Sequence, residues 1–196
     1  MTEKIATRLA TIAVENDIIQ NEDYELYIYS YQILIERVVS WMCILLISLY
    51  FGALSYTLIF VSFYGILHMF TGGWHASSFG LCFVSSVGIF LAFLLAEPAI
   101  ATLISANIML GIIICCGLTI GWLGPIADPN KPLDTKSMIR CRKISIVILL
   151  VEISIAYVIF AIGNDRILVF IGFSFAMICA SLLIAHCKTM ISAVTQ

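Results

Sequence analysis

Apolar residues run almost unbroken from Val38 to Ala96, a stretch without a single Asp, Glu, Lys or Arg. Gly52 and the Gly72-Gly73 pair divide it into three spans, at about residues 38–51, 54–70 and 79–96. Glu97-Pro98 is expected to end the third, because proline disfavours a helical conformation in the residue before it. A fourth span fills residues 100–123. The polar stretch from Gly124 to Lys143 follows, and Pro125, Pro129 and Pro132 give it extended character. Residues 144–162 and 167–186 make the fifth and sixth spans, joined by the turn Gly163-Asn164-Asp165-Arg166. The first two spans are short against the ~20 residues a helix needs to cross a hydrocarbon core. Either the first helix starts near Ile33, with Glu36 and Arg37 at the interface, or the bilayer thins locally.

Ahead of these spans the pattern changes. Residues 3–19 place Ile5, Leu9, Ile12 and Ala13 on one helical face, with Glu3, Lys4, Thr7, Arg8, Thr11 and Glu15 mostly elsewhere. That is an amphipathic helix, lying on a membrane surface or packed on the rest of the protein. Asn21 to Asp23 breaks it, and Tyr24, Tyr27, Tyr29 and Tyr31 then suit the headgroup level. The 37 residues before Val38 lack the pattern of a cleavable signal, so the first spanning helix is expected to direct insertion. The composition agrees with the hydropathy pattern. With 62% apolar residues, 11% charged ones and mean hydropathy +1.08, the chain has too much apolar surface for one aqueous core. The fold class is an all-α polytopic membrane protein, with six transmembrane helices and an N-terminal amphipathic helix. Its expected parts are an interfacial segment at 1–35, a six-helix domain at 36–186 and a tail at 187–196.

Charge orients this topology. Six spans put the N-terminus, the Gly72-Gly73 stretch, the Gly124–Lys143 loop and the C-terminus on one side. Lys4, Arg8, Arg37, Lys131, Lys136, Arg140, Arg142, Lys143 and Lys188 fall there, and only Arg166 of the ten basic residues falls opposite. The positive-inside rule makes the richer side cytoplasmic. Both termini and the chemistry described next are therefore expected at the cytoplasmic face of the cell membrane.

The candidate chemistry sits where the apolar run is interrupted, in Thr71-Gly72-Gly73-Trp74-His75-Ala76-Ser77-Ser78-Phe79-Gly80-Leu81-Cys82. A cysteine nucleophile works as a thiolate, which a nearby imidazole and a helix N-terminus both favour. Ser77 and Ser78 are good N-caps for the third span, which puts Cys82 about one turn into it. Uncapped amides of the same turn could receive an oxyanion. The plainer reading makes His75 an interfacial histidine beside Trp74, and Cys82 a small packed residue. His68, seven residues before His75, is a third member of the site or a satisfied helix histidine. Of the seven cysteines, Cys43, Cys115, Cys116 and Cys179 lie inside apolar runs, where a thiol behaves as a small hydrophobe. Cys141 has basic neighbours but no nearby histidine, and Cys187 points away from the adjacent His186 on a helix. Glu152 falls mid-span, where it is either protonated or aimed at a polar partner. No HExxH, Gly-x-Ser-x-Gly or phosphate-loop motif occurs, and no metal, cofactor or nucleic acid is expected.

Two stretches resemble the accessory gene regulator B (AgrB) family of membrane peptidases. One is Gly72-Gly73-Trp74-His75-Ala76 with Cys82 seven residues beyond the histidine; the other is Gly124-Pro125-Ile126-Ala127-Asp128-Pro129-Asn130-Lys131-Pro132-Leu133. The resemblance implies a cysteine endopeptidase in which His75 activates Cys82 to cut an AgrD-type quorum-sensing propeptide. A peptidyl thioester forms on the enzyme, and an internal cysteine or serine of the peptide then closes a thiolactone or lactone. It also implies a homodimer. Many members carry a basic residue just before the first glycine, where this chain has Phe70 and Thr71. Charge adds the expectation that Lys131, Lys136, Arg140, Arg142 and Lys143 hold an acidic propeptide tail near Cys82. The competing class is a non-catalytic membrane protein, either a small transporter or a partner-binding subunit. A transporter usually needs polar or broken helices near the midplane, and beyond Glu152, His68 and scattered Ser and Gly these spans hold little polarity.

Overall fold

The computed structural model describes residues 2–74, 78–126 and 134–194. Among them are seven α-helices and no sheet: α1 (Thr2–Glu15), α2 (Tyr24–Tyr50), α3 (Leu54–Thr71), α4 (Phe79–Leu103), α5 (Ala106–Leu123), α6 (Thr135–Ile162) and α7 (Asp165–Val194). All but α1 are long and apolar enough to cross a membrane. The all-α, six-span fold class is therefore the observed one. Two units divide the chain, Met1–Ile47 with Ala76–Leu91 and Ser48–His75 with Ala92–Gln196.

In the first unit α1 runs antiparallel to the start of α2. Thr2 Oγ1 donates to Glu36 Oε1 at 3.3 Å, and Thr11 Oγ1 lies 3.1 Å from the Tyr24 hydroxyl. Gln32 Nε2 donates to the same Glu36 oxygen at 2.9 Å. The apolar face of α1 is split. Ala6, Ala10 and Ala13 are buried, whereas Ile5, Leu9 and Ile12 are 44%, 41% and 48% exposed. Small side chains make the packed edge and large ones face outward. The helix stops at Glu15, earlier than residue 19. Asp17 adopts φ +54°, and the Ile18 N–H turns back to the Ala13 carbonyl at 2.9 Å, a Schellman-type stop. The following helix, α2, spans 27 residues, about 40 Å, and removes the shortage in the first span. It begins at Tyr24, well before Ile33, and runs unbroken through residues 35 and 36.

The second unit is built around α7. Leu168, Phe170, Ile171, Phe175, Ile178 and Leu182 are fully buried, and α3 and α5 pack against this helix. A chain of rings runs along the contact with α3 and α4. Tyr56 stacks on Phe170, Phe93 meets Phe170 edge-on and lies flat on Phe173 at 3.8 Å, and Phe60 continues through Tyr64 to His68. Opposite ends of this unit carry different chemistry. At one, Arg166 donates from Nε and Nη2 to both carboxylate oxygens of Glu97 at 2.9 and 3.2 Å, with its guanidinium 4.4 Å from the Tyr56 ring centre. At the other, the chain leaving α3 meets Ser181 of α7.

Two expected helix limits are corrected here. Glu97-Pro98 does not end the third spanning helix: α4 continues to Leu103 with Pro98 inside it. Proline removes one ladder bond but leaves the rest, and a transmembrane helix retains its form through its other bonds and its neighbours. Glu97 is also clamped by Arg166. The fourth span accordingly begins at Ala106, after the bend at Ile104–Ser105.

Nor is the whole of Gly124–Lys143 a loop. The side chain of Asp134 accepts the Ser137 N–H at 3.2 Å and starts α6 at Thr135. Hydrogen bonding from the Ser137 side chain, with the backbone amides of Ser137 and Lys136 adding to it, holds the Asp134 carboxyl below its ordinary range. Lys136, Arg140, Arg142 and Lys143 therefore stand exposed on the opening turns of α6. Lys136, Arg140 and Lys143 share one stripe by their i, i+4, i+7 spacing. Lys131 lies outside the described residues.

Candidate active site

The backbone approaching His75 is fixed by contacts from three directions. Helix α3 ends where Gly72 takes φ +63°, its N–H still bonded to the His68 carbonyl at 3.0 Å. The Ile126 N–H donates to the Thr71 carbonyl at 2.9 Å, so the segment after α5 pairs with Gly72 in a single parallel bridge. A Cβ on Gly72 would strike the Ile126 carbonyl oxygen. Gly73 follows at φ +144°, and a Cβ there would strike Ser181 Oγ and lie 3.1 Å from His68 Cε1. These two positions need glycine both for torsion and for space.

Next along the chain, the Trp74 N–H is shared between the Ser181 Oγ at 3.0 Å and the Ser181 carbonyl at 3.3 Å. The Trp74 ring lies 4.8 Å under Lys188 Nζ, one turn beyond the buried Ala185 on α7. Thr71 is fully buried, its hydroxyl donating to the Leu67 carbonyl at 3.1 Å. A basic side chain at that place would have to displace this packing. His68 is buried, stacked on Tyr64 at 4.9 Å between ring centres, with its Cε1 edge beneath Gly73.

His75, Ala76 and Ser77 lie outside the described residues. Ser78 caps α4 by accepting the Leu81 N–H on its hydroxyl at 3.4 Å. Cys82 is half-buried in the first turn, its own N–H closing the first helical bond to the Ser78 carbonyl at 3.1 Å. The Phe79 and Gly80 amides precede that bond and have no acceptor within the helix. Cys82 belongs to the first unit and the Gly72–Trp74 backbone to the second.

The other candidates are placed as follows. Cys141 is half-buried on α6 and Cys187 exposed on α7. Glu152 is buried on the inner face of α6 with Ser145, Leu149 and Ala156, and its Oε2 has no hydrogen-bond partner among the described residues. Sequence reasoning missed Ser181. One serine in an apolar run carries no local signal of a partner 107 residues away.

Six long apolar helices and a glycine turn leading into a histidine, with a capped cysteine helix beyond, define a polytopic helical membrane protein with a candidate thiol site. The chain belongs to the accessory gene regulator B family, whose model matches residues 2–190. Membership implies a part in processing the propeptide of the agr quorum-sensing system, and so a link to an AgrD propeptide. No curated protein and no solved structure matches the chain.

The glycine turn makes a prediction of its own. Gly72→Ala should impose about 1–3 kcal/mol of backbone strain, because a Cβ at φ +63° also meets a carbonyl that cannot swing away. The α3–α4 link should become markedly more sensitive to limited proteolysis in detergent, with the helical content unchanged. An unaltered cleavage rate would show that the turn tolerates a side chain.

Proposed function

We propose that this protein is a membrane cysteine endopeptidase that removes the C-terminal tail of an AgrD-type propeptide and promotes cyclisation of the remainder. The observation carrying the proposal is the placement of Cys82 in the first turn of a serine-capped helix. There the helix dipole favours a thiolate and the leading amides favour an oxyanion. His75, three residues before that cap, takes the proton of Cys82. The thiolate adds to the scissile carbonyl, and the imidazolium returns the proton to the departing amine as the C–N bond breaks. A peptidyl thioester remains on Cys82. An internal cysteine or serine of the peptide then gives its proton to His75 and attacks the same carbonyl, forming a thiolactone or lactone and releasing the Cys82 thiolate.

Exchange of one activated acyl bond for another keeps its energy, whereas water would discard it, so the site has to be dry. A location at the membrane interface suits that need. The positive-inside count favours the cytoplasmic face for both termini and for the catalytic stretch. In this reading residues 36–186 form the peptidase domain, with the outward Ile5, Leu9 and Ile12 of α1 resting in interfacial lipid. A homodimer is part of the same reading on family grounds.

The test is co-expression with the propeptide, comparing wild type with Cys82→Ala and His75→Ala by the size of the peptide product. Normal processing by either variant would sink the assignment.

The exposed stripe on α6 supports a further part of the reading, that Lys136, Arg140 and Lys143, together with Arg142 and Lys131, hold an acidic tail. Reversing the three stripe charges should weaken cleavage roughly 3–150-fold at low ionic strength, since exposed pairs are each worth about 0.2–1 kcal/mol. The loss should shrink as salt rises. Cleavage that is unchanged at every salt concentration would remove the tail-holding role and leave these charges as topology signals.

A further inference from the structure

We infer that Ser181 is a positioning residue of this peptidase: its hydroxyl, on the most buried helix, sets the backbone from which the catalytic histidine departs. The inference rests on the His75–Cys82 reading above and adds a residue to it.

Three contacts carry the inference. The Trp74 N–H is held by two acceptors of one residue, Ser181 Oγ at 3.0 Å and the Ser181 carbonyl at 3.3 Å. The carbonyl belongs to a helix and already serves the ladder, so the hydroxyl is the acceptor this position adds. Gly73 comes so close to the same hydroxyl that no side chain fits between them. The Trp74 ring is then held from outside by Lys188 Nζ, seven residues further along α7 on the same face. Backbone, hydroxyl and ring thus index this strand to α7 in both register and rotation.

Burial explains why α7 is suited to the task. It carries the largest share of inward-facing residues of any spanning helix, 56% of its most apolar window against 11–33% for the rest. A hydrogen bond anchored there ties the Gly73-Trp74 backbone to the most buried helix of the unit. Catalysis is sensitive to such placement, because displacement of a reacting group by about 1 Å can cost ~10²-fold in rate.

The substitutions that test this are Ser181→Ala and the pair Ser181→Thr and Ser181→Val, which match in shape and differ in the hydroxyl. Each is made in the full-length chain in liposomes. Two quantities are read: propeptide cleavage, and the pH dependence of Cys82 alkylation by iodoacetamide, followed on the Cys82 peptide by mass spectrometry. Ser181→Ala and Ser181→Val are expected to slow cleavage roughly 3–10-fold, as loss of one hydrogen bond does. They should also move the alkylation midpoint toward that of His75→Ala, while Ser181→Thr stays nearer wild type than Ser181→Val. A purely structural role would lower the amount of folded protein and leave the midpoint of the folded fraction where it was. If His75→Ala moves the midpoint and neither Ser181→Ala nor Ser181→Val does, the positioning role is overturned and the peptidase reading stands. If His75→Ala itself leaves the midpoint and cleavage unchanged, the peptidase reading fails and the role of Ser181 falls with it.

Discussion

Cys82→Ala should leave the propeptide uncut at every pH, whereas His75→Ala should cut it about 10²–10⁴-fold more slowly than wild type. The difference follows from what each residue supplies. Without sulfur no thioester forms, and amides at a helix start cannot open a peptide bond alone. Without the imidazole a thiol is still present. A free cysteine ionises near pH ~8.5, so a small share is thiolate at neutral pH and retains nucleophilicity. What is lost is the paired thiolate and the acid that protonates the leaving amine. The rate of His75→Ala should therefore climb as pH rises through the range of an ordinary thiol. A time course of tail release at several pH values reads both effects. Equal, complete inactivity of the two variants at high pH would mean that His75 does more than assist ionisation. Cleavage by Cys82→Ala would move the nucleophile elsewhere, with Cys141 and Cys187 the next thiols to replace.

The six spans were legible because membrane helices are written as long apolar runs, and a helix satisfies all the backbone groups of such a run within the run itself. Their ends were harder to place, each for a local reason. Pro98 reads as a stop in any scale that weighs the residue alone, yet α4 passes through it while Glu97 is gripped by a side chain 69 residues away. The start of α6 was available in principle, since Asp134 three residues before Ser137 is a capping pattern; the surrounding charges masked it as loop. In α1 the periodicity was right and the weighting was not, because the alanines made the packed edge and the larger residues were left outside. Around the candidate site the same divide holds. Glycines, serine cap and cysteine lie within one short stretch and could be found by spacing. Ser181 and Lys188 reach that stretch only through the fold, and a pattern confined to neighbours has no means of pointing to them.

Arg166→Ala should destabilise the second unit by about 2–4 kcal/mol, and Glu97→Ala by less, about 1–2 kcal/mol. The asymmetry comes from burial. The Glu97 side chain is 5% exposed and the Arg166 side chain 45%. Removing the arginine strands a carboxylate among α3, α4 and α7 with both oxygens unpaired, the costly way to break an ion pair. Water admitted at the vacated, half-exposed arginine position offsets part of that cost, which places the expectation toward the low end of measured buried pairs. Removing the glutamate leaves a guanidinium that reaches water and still lies 4.4 Å from the Tyr56 ring. The double variant should then be more stable than the sum of the two losses implies, because it strands nothing. Denaturant unfolding of the full-length protein in detergent measures all three, and Glu97→Ala proving the worse variant would contradict the account. Arg166 and Ser181 stand fifteen residues apart on α7, about 22 Å. Arg166→Ala, Glu97→Ala and the double variant should accordingly process propeptide at close to the wild-type rate per folded molecule. If the rate falls while the folded fraction does not, the clamp at one end of α7 and the histidine strand at the other are coupled through the helix, and α7 is more than a scaffold.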